Sequence, residues 1–256
     1  LVSRWEKGVG WRQWSWFWFM CLVTHPLLDA HTTWGTQFFW PLEYRLAYKN
    51  IFVIDPLYTL PFLICLIATM RYKHDNPKRR TWNYRGLIIS SGYLMLTLLL
   101  KGLAYTQFTD ALEEQQITYQ AIETKPTPLN SIVWTAHVET NNAYLIANYS
   151  FFDSKPIRFY SHPKNHEALG VLSSNDKVER LKDISEGWYV IRKEDDELFF
   201  NDLRFGQLSL DPSNTDYVFS YRLETIGDEL AVVENRKRPE NASQLLSELW
   251  DRMWGN

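Results

Sequence analysis

The chain has 256 residues, 45% of them hydrophobic and 16% aromatic, with 27 Lys and Arg against 30 Asp and Glu, a formal net charge of -3. That balance leaves no broad basic surface for nucleic-acid phosphates, and no aromatic-plus-basic stripe of the kind single strands stack on is present, which argues against nucleic acid as a partner. The two cysteines, Cys21 and Cys65, both lie in apolar runs, so a disulfide framework is excluded from the polar half.

Apolar character is unevenly spread: long runs nearly free of charge lie before residue 106, and most acidic residues lie after it. The expected fold is a membrane α-helical region of about three spans over residues 1–106, followed by a soluble, predominantly β (α+β) domain over residues 107–256. The chain starts with Leu, and Arg4 and Lys7 precede the first apolar run with no small-residue cleavage site after it, so the sequence is expected to begin inside a longer protein.

The first run, Gln13 to Leu28, has no charged side chain, and Trp14, Trp16, Phe17, Trp18 and Phe19 cluster as an interfacial belt does. It is about 16 residues, short of the roughly 20 that a span needs. The second, Ile51 to Met70, holds one charge, Asp55, and at about 1.5 Å per residue covers roughly 30 Å of hydrocarbon. The third runs from Gly86 to about Tyr105, interrupted only by Lys101, whose long stem reaches toward headgroups.

Between the second and third runs lie Arg71, Lys73, Lys78, Arg79, Arg80 and Arg85, a basic excess that places this short loop in the cytoplasm. The first helix then starts at cytoplasmic Lys7 and Arg12, and delivers His25 and Asp29 to the other face. Everything after about residue 106 lies on that face too, the periplasm of a Gram-negative cell.

After an amphipathic link near Asp110 to Gln116, the pattern changes to short β-rich runs. They lie at Ile117 to Ile122, Ile132 to Val138, Tyr144 to Tyr149 and Ile157 to Tyr160, then at Trp188 to Arg192, Leu198 to Leu203, Tyr217 to Leu223 and Leu230 to Val233. Glu194-Asp195-Asp196-Glu197 reads as a hairpin turn. Helices are expected at Asp176 to Ile184 and at Ala242 to Trp254, the latter with Leu245, Leu246, Leu249 and Trp250 on one stripe.

The sharpest chemical feature is Thr24-His25-Pro26-Leu27-Leu28-Asp29. His25 and Asp29 stand four apart and share a face if the helix continues past Pro26, so that an imidazole nitrogen and a carboxylate oxygen converge as a divalent metal requires. The alternative is a capping or hydrogen-bonded pair at a helix end. His31, in the polar loop that follows, reads as a solvated residue in preference to a further ligand. Asp55 is a functional candidate as an ionisable group at membrane depth, and equally an N-cap with Pro56 at the first helical position. His162 and His166, split by Pro163, read as solvated loop residues. No Gly-rich phosphate loop, Gly-x-Ser-x-Gly elbow or Cys-x-x-Cys pair occurs.

The strings Thr24-His25-Pro26-Leu27-Leu28-Asp29, Thr33-Trp34-Gly35-Thr36-Gln37 and Phe52-Val53-Ile54-Asp55-Pro56-Leu57-Tyr58-Thr59 resemble the bacterial inner-membrane metal-dependent hydrolases of the YdjM type. The likeness extends through Pro126-Thr127-Pro128-Leu129-Asn130, Tyr149-Ser150-Phe151-Phe152-Asp153 and Asp202-Leu203-Arg204-Phe205-Gly206. It implies a divalent metal, Zn2+ above all, with His25 and Asp29 matching the family's His-x-x-x-Asp motif and Asp55 its Asp-Pro motif. It also implies upstream ligands in a His-Arg-x-x-Thr-His-Ser segment, which this sequence lacks. The function so implied is a membrane-bound hydrolase in which metal-activated water attacks a substrate the sequence does not identify, with phosphoester or lipid chemistry suggested by the likeness. The alternative, from another class, is a non-catalytic membrane assembly or binding protein whose exported β-rich domain docks a partner; oligomeric state is left open by both.

Overall fold

A computed structural model describes residues 9–42, 44–195, 197–227, 229–236 and 242–256. Arg4, Lys7 and Asp196, which the sequence reading used, lie outside the described residues. The chain divides into two units, Leu1–Leu98 and Leu99–Asn256, with the division inside a long helix.

The first unit holds α1 (Trp11–Asp29), α2 (Pro56–Met70) and the start of α3 (Pro77–Glu114). In α1 the Gln13 side chain reaches back to the Gly10 amide at 2.9 Å, and no residue of the helix is buried. The helix runs through Pro26. The segment after α1 folds back on itself: Thr36 and Leu46 exchange backbone hydrogen bonds of 2.8 and 2.9 Å. Gly35 is required there, since its φ is +62° and a Cβ would fall 2.4 Å from the Leu46 carbonyl oxygen.

Asp55 caps α2, its Oδ1 accepting from the Leu57 and Tyr58 amides at 2.9 and 3.2 Å, with Pro56 at the first helical position. α2 and α3 form a helical hairpin. They approach closely at Gly86, where a Cβ would stand 3.0 Å from Cys65 Cβ, the small-residue contact typical of helices packed without a hydrophobic driving force.

Three helices are present, but by length and composition α3 alone among the described residues is long and apolar enough to cross a membrane, and most of its apolar window is exposed. The second expected span shrinks because the Asp55-Pro56 cap starts the helix five residues late. Its 15 residues rise about 22 Å, short of the roughly 30 Å hydrocarbon thickness.

The second unit is built of two four-stranded antiparallel sheets. The first is β1 (Ala121–Pro126), β2 (Val133–Glu139), β3 (Ala143–Ser150) and β4 (Tyr160–Pro163); the second is β5 (Tyr189–Glu194), β6 (Glu197–Gln207), β7 (Tyr217–Ile226) and β8 (Glu229–Glu234). Each sheet follows chain order, so neighbours connect as hairpins. Glu194 pairs with Glu197, which closes the expected turn.

Strand alternation makes both faces of each sheet useful. Trp134, Ala136, Val138 and Ala147 pack against Ala104, Phe108, Ala111 and Leu112 of α3, while Tyr144 and Ile146 pack against Val190, Leu203 and Tyr217 of the second sheet. The other face of that sheet, through Tyr189, Ile191 and Phe200, covers Val178 and Leu181 of α4 (Asp176–Ile184). The order of layers is helix, sheet, sheet, helix. α5 (Ala242–Met253) closes the chain. The link expected near Asp110 to Gln116 is instead the last part of α3, held helical because Phe108, Ala111 and Leu112 are core residues of the sheet domain.

Candidate functional site

On α1 the helix carries His25 and Asp29 to one face, with Nε2 and Oδ2 3.4 Å apart and side chains 79% and 45% exposed. A histidine nitrogen and a carboxylate oxygen so placed can share a cation, and their exposure leaves both open to one. Two donors fit part of a tetrahedral shell. No group of three His, Cys, Asp or Glu side chains able to hold a metal occurs among the described residues.

His31 is not the solvated residue the sequence suggested. Its carbonyl accepts the Asn50 amide at 3.0 Å, its ring lies 5.3 Å from that of Tyr48, and its Nδ1 stands 3.0 Å from Asn50 Oδ1. The proton order follows from the far end of the chain of bonds. The Thr97 hydroxyl donates to the Leu94 carbonyl at 2.9 Å, so its oxygen accepts from Asn50 Nδ2 at 2.8 Å, and the amide oxygen is turned to His31. His31 Nδ1 is therefore the donor to Asn50 Oδ1. Asn50 is fully buried, and it ties the loop after α1 to α3.

Asp55 is 1% exposed, and its second carboxylate oxygen accepts the Tyr93 hydroxyl at 2.8 Å. The capping alternative is thus realised in the structure. Reading the sequence overlooked Asn50, Tyr93 and Thr97; the available signal was Ser90, Tyr93 and Thr97 recurring at helical spacing inside an apolar run.

Two further histidines depart from expectation in the second unit. His162 is 4% exposed on β4, with Nε2 2.7 Å from the Pro212 carbonyl and Nδ1 2.9 Å from the Tyr217 hydroxyl. Nε2 donates to the carbonyl and Nδ1 accepts from the tyrosine, which is the neutral ring. Burial pushes the His162 pKa down, only partly opposed by the Pro212 bond, and burial pushes that of Tyr217 up. His166 stacks on Tyr189 at 4.0 Å between centroids and reaches the Tyr189 carbonyl at 2.9 Å; burial lowers its pKa also. Strand pairing drew the His162 ring inward: Tyr144 pairs with His162.

The densest buried charge lies at Asp202-Leu203-Arg204. Arg204, 1% exposed, holds both oxygens of Asp202 at 3.2 and 2.8 Å and reaches Glu186 at 3.2 Å. Burial alone would lower the guanidinium pKa, but the Asp202 and Glu186 carboxylates outweigh it and raise it. Lys125 donates to the Leu203 carbonyl at 3.1 Å and also to that of Arg204. The Asp202 and Glu186 carboxylates face Arg204 and backbone carbonyls hold Lys125, which fits a structural joint. A depression on the second sheet, lined by Glu197, Arg222, Glu234 and Arg236, has its charges in mutual pairs at 2.8 Å.

No characterised protein and no solved structure matches the chain. Residues 1–107 match the family model described as YdjM inner membrane protein, a match that covers α1, α2 and most of α3 and stops short of the β sheets. Over these residues, with His25, Asp29, His31 and Asp55 among them, the chain is similar to the YdjM inner membrane protein family.

Proposed function

We propose that the chain is a membrane-bound metal-dependent hydrolase acting on a phosphoester or lipid, with the loop from Arg71 to Arg85 cytoplasmic and the β domain on the periplasmic side. The observation that carries the reading is the His25 and Asp29 pair: two open donors 3.4 Å apart on one face of a helix in the family-matched region. In this reading they hold a divalent ion such as Zn2+ together with ligands from outside the described residues. Such an ion supplies Lewis acidity, polarising the scissile bond and acidifying water. Asp29 offsets the cation's charge, and His25 supplies a neutral nitrogen whose position the helix sets. Asp55 acts as a base or further ligand only if Tyr93 gives up Oδ2, because Oδ1 is engaged by the end of α2.

That engagement favours a second reading, a non-catalytic membrane assembly protein in which Asp55 is purely a cap. Metal content separates the two. Elemental analysis of full-length protein purified in mild detergent should find a divalent metal that is largely lost in His25→Ala and in Asp29→Asn at unchanged expression. Equal metal in all three proteins, or none in the parent, would remove the chemistry from the first reading.

A further inference from the structure

The C-terminal helix leaves an apolar patch on the surface of the second unit, and its position is held firmly. Leu246 and Trp250 of α5 and Trp254 just after it stand four apart and are 54%, 58% and 57% exposed, with Phe152 54% exposed beside them. Trp254 stacks on Phe152 at 5.6 Å and meets Trp250 edge-on at the same distance. The helix cannot roll to hide this stripe, because its last turn is pinned. Arg252 binds both oxygens of Asp153 at 2.5 and 2.6 Å, and Ser150 donates to the Met253 carbonyl at 2.7 Å. Gly255 lies so close that a Cβ would stand 2.2 Å from the Phe152 carbonyl oxygen.

The patch lies close to the end of α3 in the same unit. Phe151, next in the chain to Phe152, packs on the cluster that contains Ala104 and Phe108, and Leu100 packs on the same cluster. Leu100 and Ala104 lie near the end of the apolar run from Gly86 to about Tyr105, so the β domain packs on the helix where that run ends. Leu99 and Leu103, on the same turns, remain 67% and 58% exposed. A domain anchored at that height has the bilayer surface beside it, and tryptophan, with an apolar ring and one N–H donor, partitions to that boundary.

We propose that Phe152, Leu246, Trp250 and Trp254 form a second membrane contact, seated at the headgroup boundary of the same bilayer that α3 crosses. This rests on the reading of α3 as a span. Immersion relieves the exposure of an apolar stripe that water would penalise, as it does for helices lying in the interface.

The test is spin-label accessibility on the full chain in phosphatidylcholine nanodiscs, in a background with Cys21 and Cys65 replaced. Labels go on Trp250→Cys and Leu246→Cys, with Leu99→Cys as the span control and Val171→Cys, at a residue 91% exposed, as the aqueous control. Collision with oxygen relative to a water-soluble nickel chelate should be several-fold higher at 246, 250 and 99 than at 171. Aqueous values at 246 and 250 with an apolar value at 99 overturn the contact alone; an aqueous value at 99 overturns the span reading itself. Exclusion of both reagents at 246 and 250 marks a protein partner or second copy on the patch, and also overturns it.

Discussion

Phe108 of α3 meets the ring of Tyr149 in β3 edge to face, with centroids 6.0 Å apart, inside the cluster that joins the helix to the first sheet. The β domain therefore needs the end of α3 as a core element. A fragment of residues 99–256 should unfold cooperatively in urea, whereas one starting at residue 115 should aggregate or lack a cooperative transition. Within the longer fragment Phe108→Ala should cost about 3–5 kcal/mol, the range for emptying a buried aromatic site. Equal midpoints for the two fragments would show that the helix only rests on the sheet.

The buried Asp202 and Arg204 pair yields a second expectation. Asp202→Asn keeps the shape but leaves a guanidinium that is 1% exposed facing one carboxylate, Glu186, instead of two. A loss of about 3–5 kcal/mol is expected, as for other buried pairs broken on one side. Replacing Asp202 and Arg204 together by Asn and Met should cost less than Asp202→Asn alone. Denaturant midpoints of the three proteins decide it, and a double variant weaker than the single one would contradict the argument.

His162 sets a pH dependence whose sign follows from its neutral, buried ring. Its folded pKa lies below the ordinary 6.5, so below that pH the unfolded chain binds more protons than the folded one. The contribution is intact above pH 6.5 and is lost as pH falls through the lowered folded value. His166 acts in the same direction. Urea midpoints of the 99–256 fragment should fall between pH 7 and 5, and His162→Asn should flatten that slope while lowering stability at pH 7. An unchanged slope in the variant would assign the dependence to other groups.

Orientation is testable by labelling. Asn76 lies in the basic loop between α2 and α3, and Ser174 lies in a 3-10 stretch, His166–Ser174, of the β domain. In a background without Cys21 and Cys65, a cysteine at 174 should react with an impermeant thiol reagent in intact spheroplasts, and one at 76 only after lysis. The reverse pattern would put His25 and Asp29 on the cytoplasmic face.

Much of the β domain was legible because strands carry their signal locally. Each of the eight β-rich runs overlaps an observed strand, and α4 occupies the nine residues expected for it. The departures are at edges: β1 begins at Ala121 instead of Ile117, and β4 begins at Tyr160, where the expected run ends. In the helical region apolar composition found the three helices, but the span count read from it exceeds what helix length and composition together support. A sliding view of hydropathy ran across Ile51 to Asp55, where the cap already prevents a helix.

Sequence by itself determined the helical region with its YdjM likeness, the change to strands, and the spacing that puts His25 and Asp29 on one helical face, because each depends on neighbours within a few residues. Tertiary structure alone decided the rest. Asn50 and Thr97 are 47 residues apart in the chain, and Lys125 lies 78 residues from the carbonyl it binds at Leu203. His162 was read as a loop residue for want of the 55-residue contact with Tyr217 that buries it. Burial and hydrogen bonding at such positions are set by which strands and helices pair. That pairing is a sum over many weak long-range contacts, which no local window of sequence contains.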